Sequence, residues 1–487
     1  AVAPPGSLEP PPLAPSAPAV PFGPQADPLG LDFAPRDVGR DLGGGTGDGP
    51  VSGRIEASCT PDDNPLRATC TIEASPATTV SVAFAPVDGA RPVRLHRSEV
   101  DASTHVVPLY LMTADTEYAY EASRGDGLAS VRGTFQTGPL PVRYPELTVQ
   151  GVSSAPLMAA SSPCGNPVVA IFDSQGDLLW LQNTARGTTG RHEGSAFTED
   201  GTVLSVFRQG GMTTVSEHDL AGRELVYLQE GGAFDEALHH DAFKKNGLIY
   251  ALAHETFDVG GGRLALMDGF YIFDRNGLVA EWWLSDHWQP PAGLVPVTSQ
   301  GAHDLTHGNA IWVDDQDDVY LSLRDLHSVV KVRGLGPGFG DVAWVLAGGV
   351  TPWASDFDVQ DLPGELGGFF QQHNVHQLPT GEFAMFDNRM MPFERSRLLV
   401  FDVDPATLTM RALEAYDLDD HCWFQGGAWF TPVGNPVATC SHDRRAFEFS
   451  RGSTGVGTEP APTLWEGQLS CSGGTNNFVP RFVPLDW

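Results

Sequence analysis

Basic side chains are scarce in this chain of 487 residues. Its 29 lysines and arginines stand against 61 aspartates and glutamates, a formal net charge of −32. That balance argues against nucleic acid or an anionic membrane surface as a partner. Long hydrophobic runs are also missing. No stretch approaches the ~18 apolar residues of a membrane-spanning helix, and no window keeps the apolar stripe of an amphipathic helix. There is no CxxC pair, which argues against a thiolate metal site. P-loop, GxSxG and EF-hand spacings are absent, and GGGTG at 43–47 lies in a Gly-rich leader instead of at a strand–helix junction.

What is abundant points to turns and strands. Charged residues make up only 18%, while 55 glycines and 39 prolines punctuate the chain, a mix suited to a turn-rich all-β protein. The length exceeds what one compact core normally needs, so two or more domains or a repeat architecture are expected. Six cysteines, two of them bracketing the short SCTPDDNPLRATC loop as Cys59 and Cys70, favour disulfides and an oxidising compartment. Cys422 with Cys440 and Cys164 with Cys471 are plausible further pairs, although pairing cannot be deduced from sequence. A first residue of Ala1 suits a mature product whose signal has been removed.

Three regions follow. Residues 1–50 form a Pro-rich, then Gly-rich, leader that reads as a stalk or spacer. Residues 51–139 break into short alternating runs (ATCTIEA, TTVSVAFAP, ARPVRLHRS, THVVPLYL, TEYAYEAS, ASVRGTFQTG), six or seven strands of a small β-sandwich. Its LMTADTEYAYEASRGDGLASVRGTFQTG segment resembles the closing strands of a fibronectin type III domain, with Tyr118 and Tyr120 in that family's strand-F positions. The embedded RGD (Arg124 to Asp126) is too short to carry weight. From residue 140 to 487 one turn-plus-strand phrase recurs: FTEDGTVLSVF, FKKNGLIYALA, VDDQDDVYLSL, LPTGEFAMF, TPVGNPVATC, and a weaker SSPCGNPVVAIFD near 161. Six such units, each a meander of strands, predict a six-bladed β-propeller, in which stacked blades bury a continuous core.

Against that repeat, three histidines keep step. His240, His307 and His373 precede equivalent turns and are 67 and 66 residues apart. Equivalent positions of innermost strands face one central axis, so these imidazoles are expected to converge at one mouth of the channel. Arg324, at the end of the strand after His307, adds a permanently charged guanidinium whose rigid fork suits a tetrahedral oxyanion. Each residue has an ordinary alternative: a strand-start histidine is most often a satisfied hydrogen-bonding group, and Arg324 by default a surface ion pair. His376 lies three residues from His373, faces the other way on a regular strand, and reads as structural. His239 and His303 are adjacent extras, while His254, His421 and His442 lack a register argument. The acidic turns DDQDD and DLDD read as solvated turns in preference to calcium sites.

The blocks LHHDAFKKNGLIYAL, THGNAIWVDDQDDVYLSLRDLHSVVKV with its following WVLAGG, and QHNVHQLPTGEFAMFDN resemble consecutive blocks of the bacterial arylsulfate sulfotransferases. The resemblance covers roughly residues 140–487. It implies an exported six-bladed propeller behind a small β-domain, acting without a nucleotide donor or any other cofactor. Sulfate would pass from an aryl ester to a phenol through a sulfohistidine. It also implies His373 as nucleophile, with His240 (His239 being the register ambiguity), His307 and Arg324 around the sulfuryl group. Trp282, Trp288, Phe369 and Trp423 are candidates to sandwich the aryl ring, or are ordinary packing. Two other readings stand beside it. One is a non-catalytic surface or matrix propeller, attached or self-associating through its N-terminal segment. The other is a zinc or copper site of the three histidines, disfavoured because Arg324 would repel a cation.

Overall fold

The computed structural model describes residues 53–485 except 163, 165–167, 187–189, 259–263, 292–296, 300–301, 350, 361, 363–367, 390–394, 453–460 and 473–481. The leader at 1–50 therefore lies outside the described residues. Residues Val51–Trp487 belong to one compact unit. Strands dominate; the single helical element among the described residues is a three-residue 3-10 turn, Leu284–Asp286.

The first sheet has five strands, fewer than the six or seven expected. Runs that read as separate strands are single long ones, Arg67–Pro86 and Arg94–Tyr110, whose mutual register shifts between Glu73 and Val80. A β-bulge bends a strand without ending it, so each long strand serves two parts of the sheet. Ala68–Ser75 lies beside Arg54–Pro61, and Val80–Pro86 beside Tyr118–Arg124. Phe84, Tyr118, Tyr120 and Phe135 fill the core between them. The arginine of the RGD tripeptide is buried and held by Asp126 at 2.7 Å.

Six further sheets of four to six strands follow, in a propeller-like arrangement. Their edge strands Arg191–Phe197, Leu238–Lys245, Gly308–Val313, His373–Gln377, Gly427–Phe430 and Phe482–Leu485 lie side by side in succession. The recurring phrase is the hairpin behind five of these strands. Its glycine is the left-handed residue of the turn: Gly201 (φ 70°) and Gly381 (φ 101°) each donate N–H to the carbonyl three residues back, that of Thr198 and Leu378. In the acidic copy Asp317 (φ 62°) takes that place, a conformation aspartate tolerates. Lys331 lies 2.8 Å from Asp314 and 3.0 Å from Asp318, so an ammonium already occupies the acidic turn considered for calcium.

The sixth phrase is out of register with the others. It joins Leu157–Ser162 to Val168–Asp173, the second and third strands of their sheet, because the edge strand of that sheet is Phe482–Leu485 from the far end of the chain. In the neighbouring sheet, Pro145–Gly151 pairs with Thr463–Cys471. Early and late segments are thus interleaved twice, and Cys164–Cys471 adds a covalent tie between them. Cys59–Cys70 and Cys422–Cys440 form the other two disulfides.

Candidate active site

The innermost strands are interrupted where the histidines sit. Register shifts fall between Leu238 and Ala242, Gly308 and Ala310, and His373 and His376. Bulges re-aim side chains, and here they break strict equivalence. His240 (φ 52°) and His307 (φ 50°) are left-handed residues, whereas beside His373 it is Gln371 and Asn374 that take positive φ. His240 and His373 lie in two of the edge strands, and His307 immediately precedes the strand Gly308–Val313 between them. Close approach between strands depends on small residues: a Cβ on Gly194 would lie 1.8 Å from the His240 carbonyl oxygen, and one on Gly308 2.8 Å from the Asp268 carboxylate.

His240 and His307 meet ring edge to face with centroids 5.0 Å apart. His307 places Nδ1 2.9 Å from Asp304 Oδ2, and its backbone N–H donates to Asp304 Oδ1 at 3.0 Å. Arg324 follows the strand Val319–Leu323 directly, and its N–H donates to the His307 carbonyl at 3.1 Å. Its Nη1 donates to Asp325 Oδ1 at 2.6 Å. Burial pushes the Asp325 carboxyl up, against the pull of Arg324 and His307. The expected cationic hollow is therefore charge-compensated: Asp304 and Asp325 accompany His307 and Arg324.

The HHD pair divides its labour. His239 turns inward, 7% exposed, with Nε2 3.0 Å from Asp268 Oδ1, and stacks on His254 at 4.8 Å. His240 is the member that reaches His307. The two are joined Nδ1 to Nδ1 at 2.8 Å. Asp268 also accepts from Gly308 N at 2.6 Å and from the Thr306 hydroxyl.

His373 is buried and opens the strand His373–Gln377. Its Nδ1 lies 2.7 Å from Asn388 Oδ1 and 2.9 Å from the Gln371 carbonyl. Asn388 Nδ2 donates to the carbonyls of Cys422 (2.9 Å) and Gln425 (2.7 Å), which fixes the amide with its oxygen toward the imidazole. Two acceptors face Nδ1, so Nδ1 carries a proton, and in the neutral ring the lone pair is on Nε2. The loop carrying Asn388 is itself anchored by a buried Asp387–Arg397 pair at 2.8 Å. What connects His373 to the His307 strand is Asn309, whose Nδ2 donates to the Gln372 carbonyl at 2.7 Å, and the Gln372 amide, which donates to Ser328 O at 2.9 Å.

His376 is half-buried against Trp429, stacked at 5.2 Å; the bulge after His373, not simple alternation, separates the two imidazoles. Of the aromatic candidates, Trp282, Trp288 and Phe369 are core residues, while Trp423 is 54% exposed and meets His421 edge to face at 4.8 Å. His442 pairs with Asp443, and the His303 side chain lies outside the description. Among the described residues no group of three or more His, Cys, Asp or Glu side chains is arranged to hold a metal.

Sequence reasoning missed Asn388, Asp268, Asp304 and Asp325. A signal existed for Asp268: it interrupts the apolar strand LALMDGFYIFD, and a carboxylate inside such a strand needs a buried partner. Asn388 reaches His373 from the end of another strand and leaves no local mark, whereas Asp304 and Asp325 stand three and one residues from His307 and Arg324 and were open to a local pairing argument.

A family model described as Arylsulfotransferase (ASST) matches residues 147–455. No curated protein is significantly similar to the chain. Among solved structures, a protein of unknown function from Bacteroides caccae is 11% identical, over 61% of this chain and 90% of that one, with a TM-score of 0.39. The periplasmic gluconolactonase of Pseudomonas aeruginosa is 13% identical over 83% and 99%, at 0.36. The virginiamycin B lyase of Staphylococcus aureus is 7% identical over 67% and 99%, also at 0.36. At these scores the three carry no inference about this chain.

Proposed function

The chain belongs to the arylsulfotransferase family, and on that premise we propose that it transfers a sulfuryl group between phenolic oxygens through a covalent intermediate on His373. Membership implies an aryl sulfate donor and a phenol acceptor. The observation that carries the covalent route is the tautomer of His373, held with Nδ1–H toward Asn388 and Gln371 and the lone pair on Nε2. A neutral imidazole with its lone pair presented is a competent nucleophile.

In the first half-reaction Nε2 attacks sulfur, the N–S bond forms, and the S–O bond to the aryl group breaks with its electron pair on oxygen. The ring is left cationic, and its Nδ1–H keeps donating to the two oxygens that already face it. In the second half-reaction the oxygen of the acceptor phenol attacks sulfur, the N–S bond breaks, and His373 is restored. Such transfers have loose transition states, so positioning and charge stabilisation dominate. Arg324, braced by Asp325, faces the sulfuryl oxygens in this reading, and His240 or His307 exchanges the phenolic proton. Trp423, exposed in the loop whose carbonyls anchor Asn388, is the aromatic candidate best placed to meet an aryl ring.

The architecture that goes with this reading is a six-bladed propeller over residues 140–487, a fibronectin type III-like sandwich over 51–139, and a spacer at 1–50. Three disulfides are compatible with an oxidising compartment, and no described helix is long and apolar enough to cross a membrane; we place the protein outside the cytosol.

The test is to incubate the protein with 4-nitrophenyl sulfate and a phenol. Release of 4-nitrophenolate, a sulfated acceptor, and an SO3 adduct mapped to His373 are expected. Absence of turnover across a broad panel of donors and acceptors, or full activity in His373→Ala, would overturn the reading in favour of a binding protein.

A further inference from the structure

The contact between His239 and His240 is unusual in its chemistry. Two Nδ1 atoms 2.8 Å apart share one proton, since one must donate and the other accept. At its other nitrogen, Nε2, His239 lies 3.0 Å from the Asp268 carboxylate, an ion-pair contact without the alignment of a good hydrogen bond, and the negative charge there favours a proton on Nε2 in either arrangement. Two arrangements that satisfy both contacts leave His240 uncharged. In one, His239 is an imidazolium donating from Nδ1, and His240 carries its proton on Nε2. In the other, His239 is neutral, His240 donates from Nδ1, and His240 Nε2 bears the lone pair. The two differ by one proton, removed at His240 Nε2.

We propose that Asp268, His239 and His240 form a relay in which the buried His239–Asp268 pair stores the proton that His240 gives to, and recovers from, the phenolic oxygen. This rests on the sulfuryl-transfer reading above. As the aryl oxide departs, His240 Nε2–H passes to its oxygen and His239 Nδ1–H passes to His240 Nδ1; the positive charge leaves His239 and the phenolate is neutralised. When the acceptor phenol attacks, its proton goes to His240 Nε2 and the Nδ1 proton returns to His239. His240 never carries a full charge. His239 is thus a positioning residue, and His240 the group that touches the substrate.

The surroundings favour charge on His239. Burial opposes it, but the hydrogen bond and charge of Asp268, followed by Asp304, hold its pKa above the ordinary imidazole value. The stacked His254 goes the other way: burial first, then the charge of His239, pushes it down to about 4, so the stored proton stays off it. Glu193 from the strand Arg191–Phe197 and Arg208 from the strand Val203–Gln209 also face this cluster, with opposite charges, as does His307 across from His240; the carboxylate of Asp241, next in sequence to His240, accepts from the Ile311 N–H. Asp268 is built to remain a carboxylate, with the Thr306 hydroxyl and Gly308 N–H both donating to it.

Imidazole 15N NMR of the full chain labelled at histidine, together with the pH profile of the donor half-reaction, tests this. His240 is expected to switch from Nε2–H to Nδ1–H with the same midpoint at which His239 loses its charge. Asp268→Asn should lower that midpoint, moving the alkaline limb of kcat/KM for the donor down by about one pH unit, a tenfold loss on that limb. A single His240 tautomer throughout, or an imidazolium on His240 titrating by itself, overturns the relay even if the variant fails to fold. Turnover with a fixed His240 tautomer overturns the relay and leaves sulfuryl transfer standing. Coupled switching in a protein with no turnover overturns the transfer reading instead.

Discussion

Asn388 decides which nitrogen of His373 carries the proton. Its Oδ1 lies 2.7 Å from His373 Nδ1, while both amide hydrogens go to backbone carbonyls of the 422–425 loop. A hydroxyl or imidazole partner could switch between donor and acceptor. An amide pinned by two carbonyls cannot, so its oxygen is a permanent acceptor.

Asn388→Ala is therefore expected to reduce kcat about 100-fold, the scale of a misplaced reacting group, with KM for the donor little changed. Burst kinetics with 4-nitrophenyl sulfate separate the two parameters. An unchanged burst rate would show that the amide serves only to hold the loop.

Arg324→Lys keeps the charge but loses the planar fork that spans Asp325 and an oxyanion. A drop in kcat of about 100-fold is expected, comparable to removing one oxyanion donor. Asp325→Asn should weaken the same step less, since it frees the guanidinium without removing it. Equal losses in the two variants would contradict this placement.

Arg397 is 1% exposed against a fully buried Asp387, whose second oxygen accepts from the backbone of Phe370 and Arg389. Arg397→Met leaves that carboxylate buried without its counter-ion and should cost about 3–5 kcal/mol of stability. Urea unfolding followed by tryptophan fluorescence measures it. The double change Arg397→Met with Asp387→Leu should recover part of the loss.

Acid should destabilise the fold above the range where carboxylates titrate. Burial lowers His376 and His254 from 6.5 to about 4, with His239 adding to the effect at His254. Between those values the unfolded chain binds protons the native one refuses, so stability is full above pH 6.5 and falls toward pH 4, by about 3 kcal/mol per residue. His239 has the opposite sign, its raised pKa contributing stability that is lost as pH rises. A Tm lower at pH 4.5 than at pH 7, with a smaller drop in His376→Leu, is the expected result.

Much of the fold was legible because the hairpin turn is local chemistry. The glycine of FTEDGT and LPTGE is there for a positive φ that other residues resist, so the phrase marks each hairpin, and the histidines could be counted from it. The count was blurred by bulges: an extra residue shifts facing without altering spacing, which is why His373 and His307 are one step out of register in backbone conformation. Long bent strands such as Arg67–Pro86 were cut in two, since alternation cannot distinguish a kink from a gap.

The sequence by itself determined the all-β class, the recurring hairpins, the cysteine partners worth considering, and the succession of His240, His307 and His373 in or just before neighbouring strands. These follow from turn conformation and from period-two burial, both readable within a few residues. Tertiary structure alone decided that His239 faces Asp268 while His240 faces His307, that Asn388 sets the His373 tautomer, and that Asp304 and Asp325 neutralise the expected cationic pocket. It also decided that Pro145–Gly151 and Phe482–Leu485 interleave the early and late strands. Contacts between residues far apart in the chain depend on distances the local pattern does not encode, and even Asp304 and Asp325, close in sequence to their partners, meet them only in the folded backbone; those distances fix where each proton sits.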